Sequence, residues 1–364
     1  MKSADGNGQR GGDARATNKP RASISLDLDN LWSYMKIHGD AGWGSFPSYL
    51  DQVVEIVVDR LRAHGLTVTI FLVGQDAALA KNASALRAVA DAGHEIGNHS
   101  FSHEPWLHTY SYDEIAREIA DAETAIERAT GQKPRGFRGP GFSLSSDTLR
   151  VLAERQYVYD ASTFPTFLGP LARAYYFLNS GDLSAEEREQ RKRLFGTVSD
   201  GLRAIKPYVW NVPLADGLVG GRPGSPPADD PTIGRPGSPP AGHPLLEIPV
   251  TTMPFLRVPI HMSYIGYLAV HSRILARAYA RAALSVLERT HTDLSFLLHP
   301  LDFIGKDREN RLGFFPGMNE RTEDKLRLFD EVIALIKQSF EPVTMAEHAR
   351  VLLDGGRLKT ATLG

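Results

Sequence analysis

The sequence predicts an α/β protein, because short apolar runs fit for buried strands alternate along the chain with amphipathic helical stretches. The number of these units suits a closed parallel barrel better than an open doubly wound sheet. No glycine-rich phosphate loop follows the first strand, which argues against a nucleotide-binding sheet.

Residues 1–22 are polar and glycine-rich and are expected to form a disordered tail. They hold no apolar core of a secretory signal, and no stretch approaches the roughly 20 apolar residues of a spanning helix. A cytoplasmic protein with no transmembrane segment is the expectation. Ile24–Asp29 is the first strand. A helix follows over Tyr49–His64, stopped by Gly65 in a C-cap position. Thr67–Val73 is a buried-strand run, Asp76–Ala92 a helix closed by Gly93, and His94–Asn98 a short strand. Tyr112–Ala129 reads as an amphipathic helix with Gly131 beyond it. Gly136–Arg138, Tyr157–Asp160, Leu245–Val250 and Ser295–His299 complete the strands. Tyr264–Leu287 reads as one helix, with Arg273, Arg277 and Arg281 forming a basic stripe: either a phosphate contact or a solvated face.

A single domain over 23–355 accommodates these elements, with an insertion-bearing region at 166–290 and a C-terminal tail at 356–364. Within the insertion, 215–244 is rich in Pro and Gly and contains GRPGSPPA twice, at 221–228 and 234–241, so a flexible surface loop is expected there. The chain has 364 residues, a formal net charge of -2 and no cysteine. The charge gives no basic excess for nucleic acid, and the absence of cysteine excludes disulfides, thiolate metal sites and cysteine nucleophiles. A homo-oligomer is compatible with the sequence.

Polar residues gather where strands end, and in a parallel barrel those ends share one face. Asp27 and Asp29 are two apart, so a strand points both carboxylates to one side, where they repel unless a cation lies beside them. Two exposed acids are the other reading. His99 and His103 have the i, i+4 spacing that places two imidazoles on one face of a helical turn. With Asp29 they make a two-histidine, one-carboxylate set suited to Zn2+ or another divalent first-row ion such as Co2+. Arg138, in RGPG, is placed to pair with a carboxylate in a bidentate fork, or stands exposed in a tight turn. Asp160 ends another strand. His299 ends an apolar strand with Asp302 near enough to orient its ring. Trp32, Trp43 and Trp106 offer sugar-stacking faces or an apolar rim.

In order along the chain, ISLDLDN, HEIGNHSFSHE, FRGPG, YDASTFP and SFLLHP resemble the blocks of the polysaccharide deacetylases, carbohydrate esterase family 4 or NodB-type proteins. The resemblance covers Ser23 to Pro165 and the His299 region. It implies a deformed (β/α) barrel of about seven strands and a role for each matching residue: Asp27 as catalytic base, Asp29, His99 and His103 as metal ligands, Arg138 holding the base, the Gly141 N–H at the oxyanion, and His299 as general acid. The first block departs from the usual adjacent aspartates, since Leu28 intervenes and Asn30 follows. This D-x-D form resembles the peptidoglycan-deacetylase-like and lipid-linked-sugar deformylase branch. YDAS stands where chitin-type enzymes carry an aspartate–tryptophan pair.

The resemblance implies metal-dependent removal of an N-acyl group, acetyl first, from an N-acylated carbohydrate. A deformylase or cyclic-amide hydrolase on the same metal site, a non-catalytic carbohydrate-binding or scaffold barrel, and a metal-dependent lyase or isomerase are the competing expectations.

Overall fold

The structure, a computed structural model, describes residues 19–168, 201–212, 244–356 and 358–363. Its strands are β1 (Arg21–Asp27), β2 (Thr69–Leu72), β3 (Glu95–Asn98), β4 (Gly136–Phe137), β5 (Tyr159–Asp160), β6 (Tyr208–Trp210), β7 (Leu245–Glu247), β8 (Leu294–Leu298), β9 (Glu341–Val343) and β10 (Thr360–Ala361). They form one curled sheet in the order β10-β6-β7-β5-β4-β3-β2-β1-β8, with β9 also paired to β1. All neighbours are parallel except β6 and β7. The gap between β5 and β8 is bridged by extended chain. Val250 N donates to Thr163 O at 2.9 Å, and Thr251 N donates to Ser295 O at 3.1 Å. The result is a deformed barrel.

All seven strands read from the sequence are present. β6, β9 and β10 were not foreseen, being short and partly exposed, with little alternation to mark them. Two boundaries change. β1 begins at Arg21, so Arg21 and Ala22 belong to the sheet and not to the tail. Arg21 N is tied to Asp293 Oδ1 at 2.8 Å, and the strand pairs with β9 from its first residue. The C-terminal tail contains β10, which lies parallel to β6. Residues 1–18 of the N-terminal tail and 215–243 of the repeat-bearing loop lie outside the described residues.

Two helices divide. Asp76–Ala92 is Gly74–Ala78 and Ala83–Asp91, because Leu79 is extended and the Asn82 side chain donates to the Asp76 carbonyl at 3.2 Å. Tyr264–Leu287 is Met262–His271 and Arg273–Arg289: Ser272 turns extended and caps Leu275 N at 3.2 Å through its hydroxyl. Helices the sequence reading omitted run over Leu31–His38, Ser146–Glu154, Thr322–Ser339 and Met345–Asp354.

The core lies between the sheet and the helices. β1 is buried along Ala22–Asp27, and Leu50–Ala63 packs there with Val53, Val54, Val57, Val58 and Leu61. Full burial of each such side chain is worth about 1.5–3 kcal/mol. This rigid wall fixes the strand ends that carry the polar residues.

Candidate metal centre and active site

β1 delivers the two aspartates. Asp27 is its last residue, and Leu28 N extends the pairing with a bond to Phe71 O at 3.0 Å. Leu28 therefore faces the core, 2% exposed, while Asp27 and Asp29 share the opposite side. Asn30 sets the turn that follows. Its Oδ1 accepts Leu31 N at 2.8 Å, capping the helix Leu31–His38, and also Tyr49 N at 3.1 Å. Its amide donates to Asp76 Oδ1 at 2.7 Å. Burial pushes the Asp76 carboxyl up to about 6, against the hydrogen bonds from Asn30 and Trp32.

His99 and His103 sit in a loop after β3, not on a helical turn. Ser100 and His103 have φ of 60° and 51°, which a helix cannot contain. Glu118 holds this shape, accepting Phe101 N at 3.0 Å, Ser102 N at 2.8 Å and Ser102 Oγ at 2.7 Å. Gly74 N and Gln75 N bond to the carbonyls of Ser100 and Phe101, each at 2.9 Å. The loop is thus as fixed as a helix would be, by a carboxylate from Tyr112–Thr130 that no spacing rule reveals.

The Asp29 Oδ1 atom lies 2.9 Å from His103 Nε2 and 3.5 Å from His99 Nε2. One ligand-capable atom from each of the three buried residues falls within 4.8 Å of the others. His99 Nδ1 donates to the Arg138 carbonyl at 2.6 Å, so a neutral His99 aims the lone pair of Nε2 at Asp29. A lone pair facing a carboxylate is unfavourable unless a proton or a cation comes between them. The proton alternative shows in the pKa directions. Burial opposes the charge on both groups, yet Asp27 and Asp29 raise His99, and His103 and His99 hold Asp29 well below the usual carboxylate range. The same donor set fits a divalent ion, which would displace that proton.

Arg138 is fully buried behind Asp27. One Nη1 donates to Asp27 Oδ1 at 2.6 Å and to Ser25 Oγ at 2.9 Å; Nε donates to the Ala161 carbonyl at 3.1 Å. The fork read from the sequence is not formed: a single nitrogen meets the carboxylate because Ala161 takes Nε. Its guanidinium lies 4.5 Å over the Phe71 ring. Gly139 N donates to Ser162 Oγ at 2.8 Å, and Gly141 adopts φ 58° at the cavity wall. Asp302 does not orient the His299 imidazole. Its carboxylate accepts the His299 backbone N–H at 2.7 Å, and the ring's Nδ1 meets Ser263 Oγ at 3.1 Å.

Asp27, Asp29, His99, His103, Gly141 and His299 line one cavity of about 470 Å³, with Arg138 directly behind it. Trp32 is not a sugar platform. It is 1% exposed and donates through Nε1 to Asp76 Oδ1 at 3.0 Å. Trp43 carries the Lys36 ammonium 4.9 Å from its ring. Arg273 and Arg277 face acids on Thr322–Ser339. The first lies 2.9 Å from Asp324, and the second donates from Nε to Glu331 at 2.6 Å.

Asp160 does not reach the cavity. It lies opposite Glu247 in the β5–β7 register, both fully buried. Ser162 Oγ donates to Asp160 at 2.5 Å; Glu247 accepts Thr163 N at 3.1 Å, Thr163 Oγ1 at 2.6 Å and Trp210 Nε1 at 2.9 Å. Burial raises both carboxyls, Glu247 well above its ordinary value with Asp160 adding to the rise. Sequence reasoning missed Glu247, Ser263 and Glu118. Ser25 alone carried a signal, standing two residues before Asp27 on the same side of β1.

Comparison with known proteins agrees with this geometry. Residues 35–159 match the family model described as polysaccharide deacetylase. A peptidoglycan-N-acetylglucosamine deacetylase of Bacillus cereus is 30% identical over 102 residues, 28% of this chain and 36% of the relative. A peptidoglycan deacetylase of Helicobacter pylori is 30% identical over 132 residues, 34% of this chain and 42% of the relative. The chain thus spans well under half the length of these curated relatives. A crystal structure of a protein from Mycobacterium smegmatis, described as a polysaccharide deacetylase, superposes with a TM-score of 0.57 at 17% identity over 96% of this chain and 95% of that one. That likeness is one of fold.

Proposed function

We propose that this chain, whose residues 35–159 match the polysaccharide deacetylase family model, is a metal-dependent hydrolase that removes an N-acyl group, acetyl being the one its relatives are named for, from an amino sugar. The observation that carries this reading is the joining of Asp27, Asp29, His99, His103 and His299 in one cavity.

Asp29, His99 and His103 would hold the ion. Zn2+ suits this donor set, and a divalent ion there would polarise the acyl oxygen and lower the pKa of water. Asp27 is not needed as a ligand, so it is free to take the proton as water adds to the acyl carbon. Arg138 aims Asp27 through the Nη1 hydrogen bond to its Oδ1. His299, just beyond the end of β8, returns a proton to the nitrogen as the C–N bond breaks, because an amine leaves poorly without one. The Gly141 N–H meets the charge on the acyl oxygen. Water is consumed, and a free amine and a carboxylate are released. No covalent intermediate is involved. In this reading the D-x-D form serves a purpose: Leu28 fills the core while the aspartates on either side share the site.

The test is a screen for released amine and carboxylate over N-formyl and N-acetyl amino sugars, oligosaccharides and nucleotide sugars, with metal removed and restored. Release that stops on metal removal and returns with Zn2+ is expected. Undiminished release from protein shown to be metal-free would overturn the reading.

A further inference from the structure

The cavity does not end at the catalytic residues. It continues along Met262–His271 and Thr322–Ser339, where its walls are Met262, Val270, Leu297, Leu301, Phe315 and Leu328. Several polar groups on this stretch are engaged with the protein, while Tyr34, Tyr264 and Tyr267 also line the cavity. Ser263 meets His299, Arg273 is paired with Asp324, and Lys325 Nζ donates to the Leu301 carbonyl at 2.6 Å. A sugar ring carries hydroxyls on most of its carbons, and each loses its water partners on burial and needs a replacement, whereas the lining is mostly apolar. An alkyl chain loses nothing.

Two further observations agree. Met262–His271 contains no Lys, Arg, Asp or Glu, yet Tyr267 and Val270 remain 40% and 44% exposed, and Ile274 and Leu275 just beyond are 79% and 52% exposed. An apolar strip therefore leads from the cavity to the surface. Gly266 also lines the cavity, and a Cβ placed on it would meet nothing within 4 Å.

We propose that this extension binds an apolar acyl chain of several carbons on the scissile nitrogen, so that the substrate class is N-acyl amino sugars with acyl groups longer than acetyl. This rests on the hydrolase reading above and names its acyl group. The chain lies along Leu297, Leu301 and Leu328 with its carbonyl at the metal centre, and the sugar stays toward the open side.

The experiment uses the zinc-loaded full chain and glucosamine carrying formyl, acetyl, butanoyl, hexanoyl or octanoyl groups. Released amine is measured, and binding of sodium octanoate is followed separately by calorimetry. We expect kcat/KM to rise by about threefold to fourfold per added methylene until the cavity is filled. Gly266→Leu places a side chain in the open space and improves helix propensity, so folding is not at risk. It should abolish the gain for octanoyl and weaken octanoate binding by about tenfold or more. A flat or falling series that Gly266→Leu does not alter overturns the proposal. Octanoate binding that Gly266→Leu removes, without amine release from any substrate, upholds the apolar site and overturns the hydrolase reading. Neither release nor binding overturns both.

Discussion

The barrel holds two pairs of buried carboxyls, and they behave oppositely. Asp27 and Asp29 stand at the end of β1 with Arg138, His99 and His103 around them. Asp160 and Glu247 stand at the ends of β5 and β7 with Ser162, Thr163 and Trp210, all neutral donors. Burial is nearly equal, so it does not separate them. The cations do: they hold Asp29 ionised, whereas Asp160 and Glu247 are driven toward sharing a proton. The first pair faces a cavity and can accept a proton or a metal. The second faces the protein, and Ser162 connects it to Gly139 in the loop that carries Gly141.

The largest expected effect comes from emptying the cationic side of the first pair. His99→Ala removes one of the three ligand-capable atoms, and stoichiometric Zn2+ and turnover should both be lost. Asp27→Asn leaves all three ligands and should retain the metal while turnover falls by about 10²–10⁴-fold. Metal analysis of the purified variants beside amine-release assays separates the two. If Asp27→Asn lost the metal as His99→Ala does, Asp27 would be a ligand and the contrast within β1 would collapse.

The first pair was legible in the sequence because its chemistry is local. Asp27 and Asp29 are two apart in a strand, His99 and His103 four apart, and these spacings survive folding even though the histidine loop is not helical. The second pair was not legible. Asp160 and Glu247 are separated by 87 positions in the chain, and the partners Ser263 and Glu118 are likewise brought in from distant elements. The strand pattern fared similarly. Seven runs with clear apolar character were readable, while β6, β9 and β10 exist because neighbours offer free edges. The arginine fork failed for a related reason: sequence shows the donor but not Ala161, the competing acceptor.

The second pair predicts a smaller effect, on stability. Glu247→Ala strands Trp210 Nε1 and the Thr163 donors and should cost about 2–4 kcal/mol in urea unfolding. Glu247→Gln keeps the shape and carries no titrating proton. The folded pKa of Glu247 is raised, so its contribution is fully present below the unfolded value near 4.5 and is lost as pH rises toward the folded value. Wild type should therefore lose stability relative to Glu247→Gln from pH 4 to pH 8. A stability difference constant over that range would show that the pair holds no proton.

Exposed acids opposite arginines complete the comparison and carry the smallest prediction. Asp324 and Glu331 face Arg273 and Arg277 across two helices, with side chains 25–43% exposed. Here the cation is present but burial is not, and solvent screens the pair. The stripe's charge is largely answered from within the protein, which favours a solvated, ion-paired face over a phosphate contact. Arg277→Ala should leave the thermal midpoint and the rate of acyl release nearly unchanged, at about the level of a typical surface substitution. The decisive measurement compares a neutral N-acylglucosamine with its 1-phosphate in wild type and Arg277→Ala. Equal ratios are expected, because Glu331 already occupies the guanidinium. A loss confined to the phosphorylated substrate would mean that the stripe gives up its acids to bind phosphate, and charge at the surface would then matter as much as charge in the barrel.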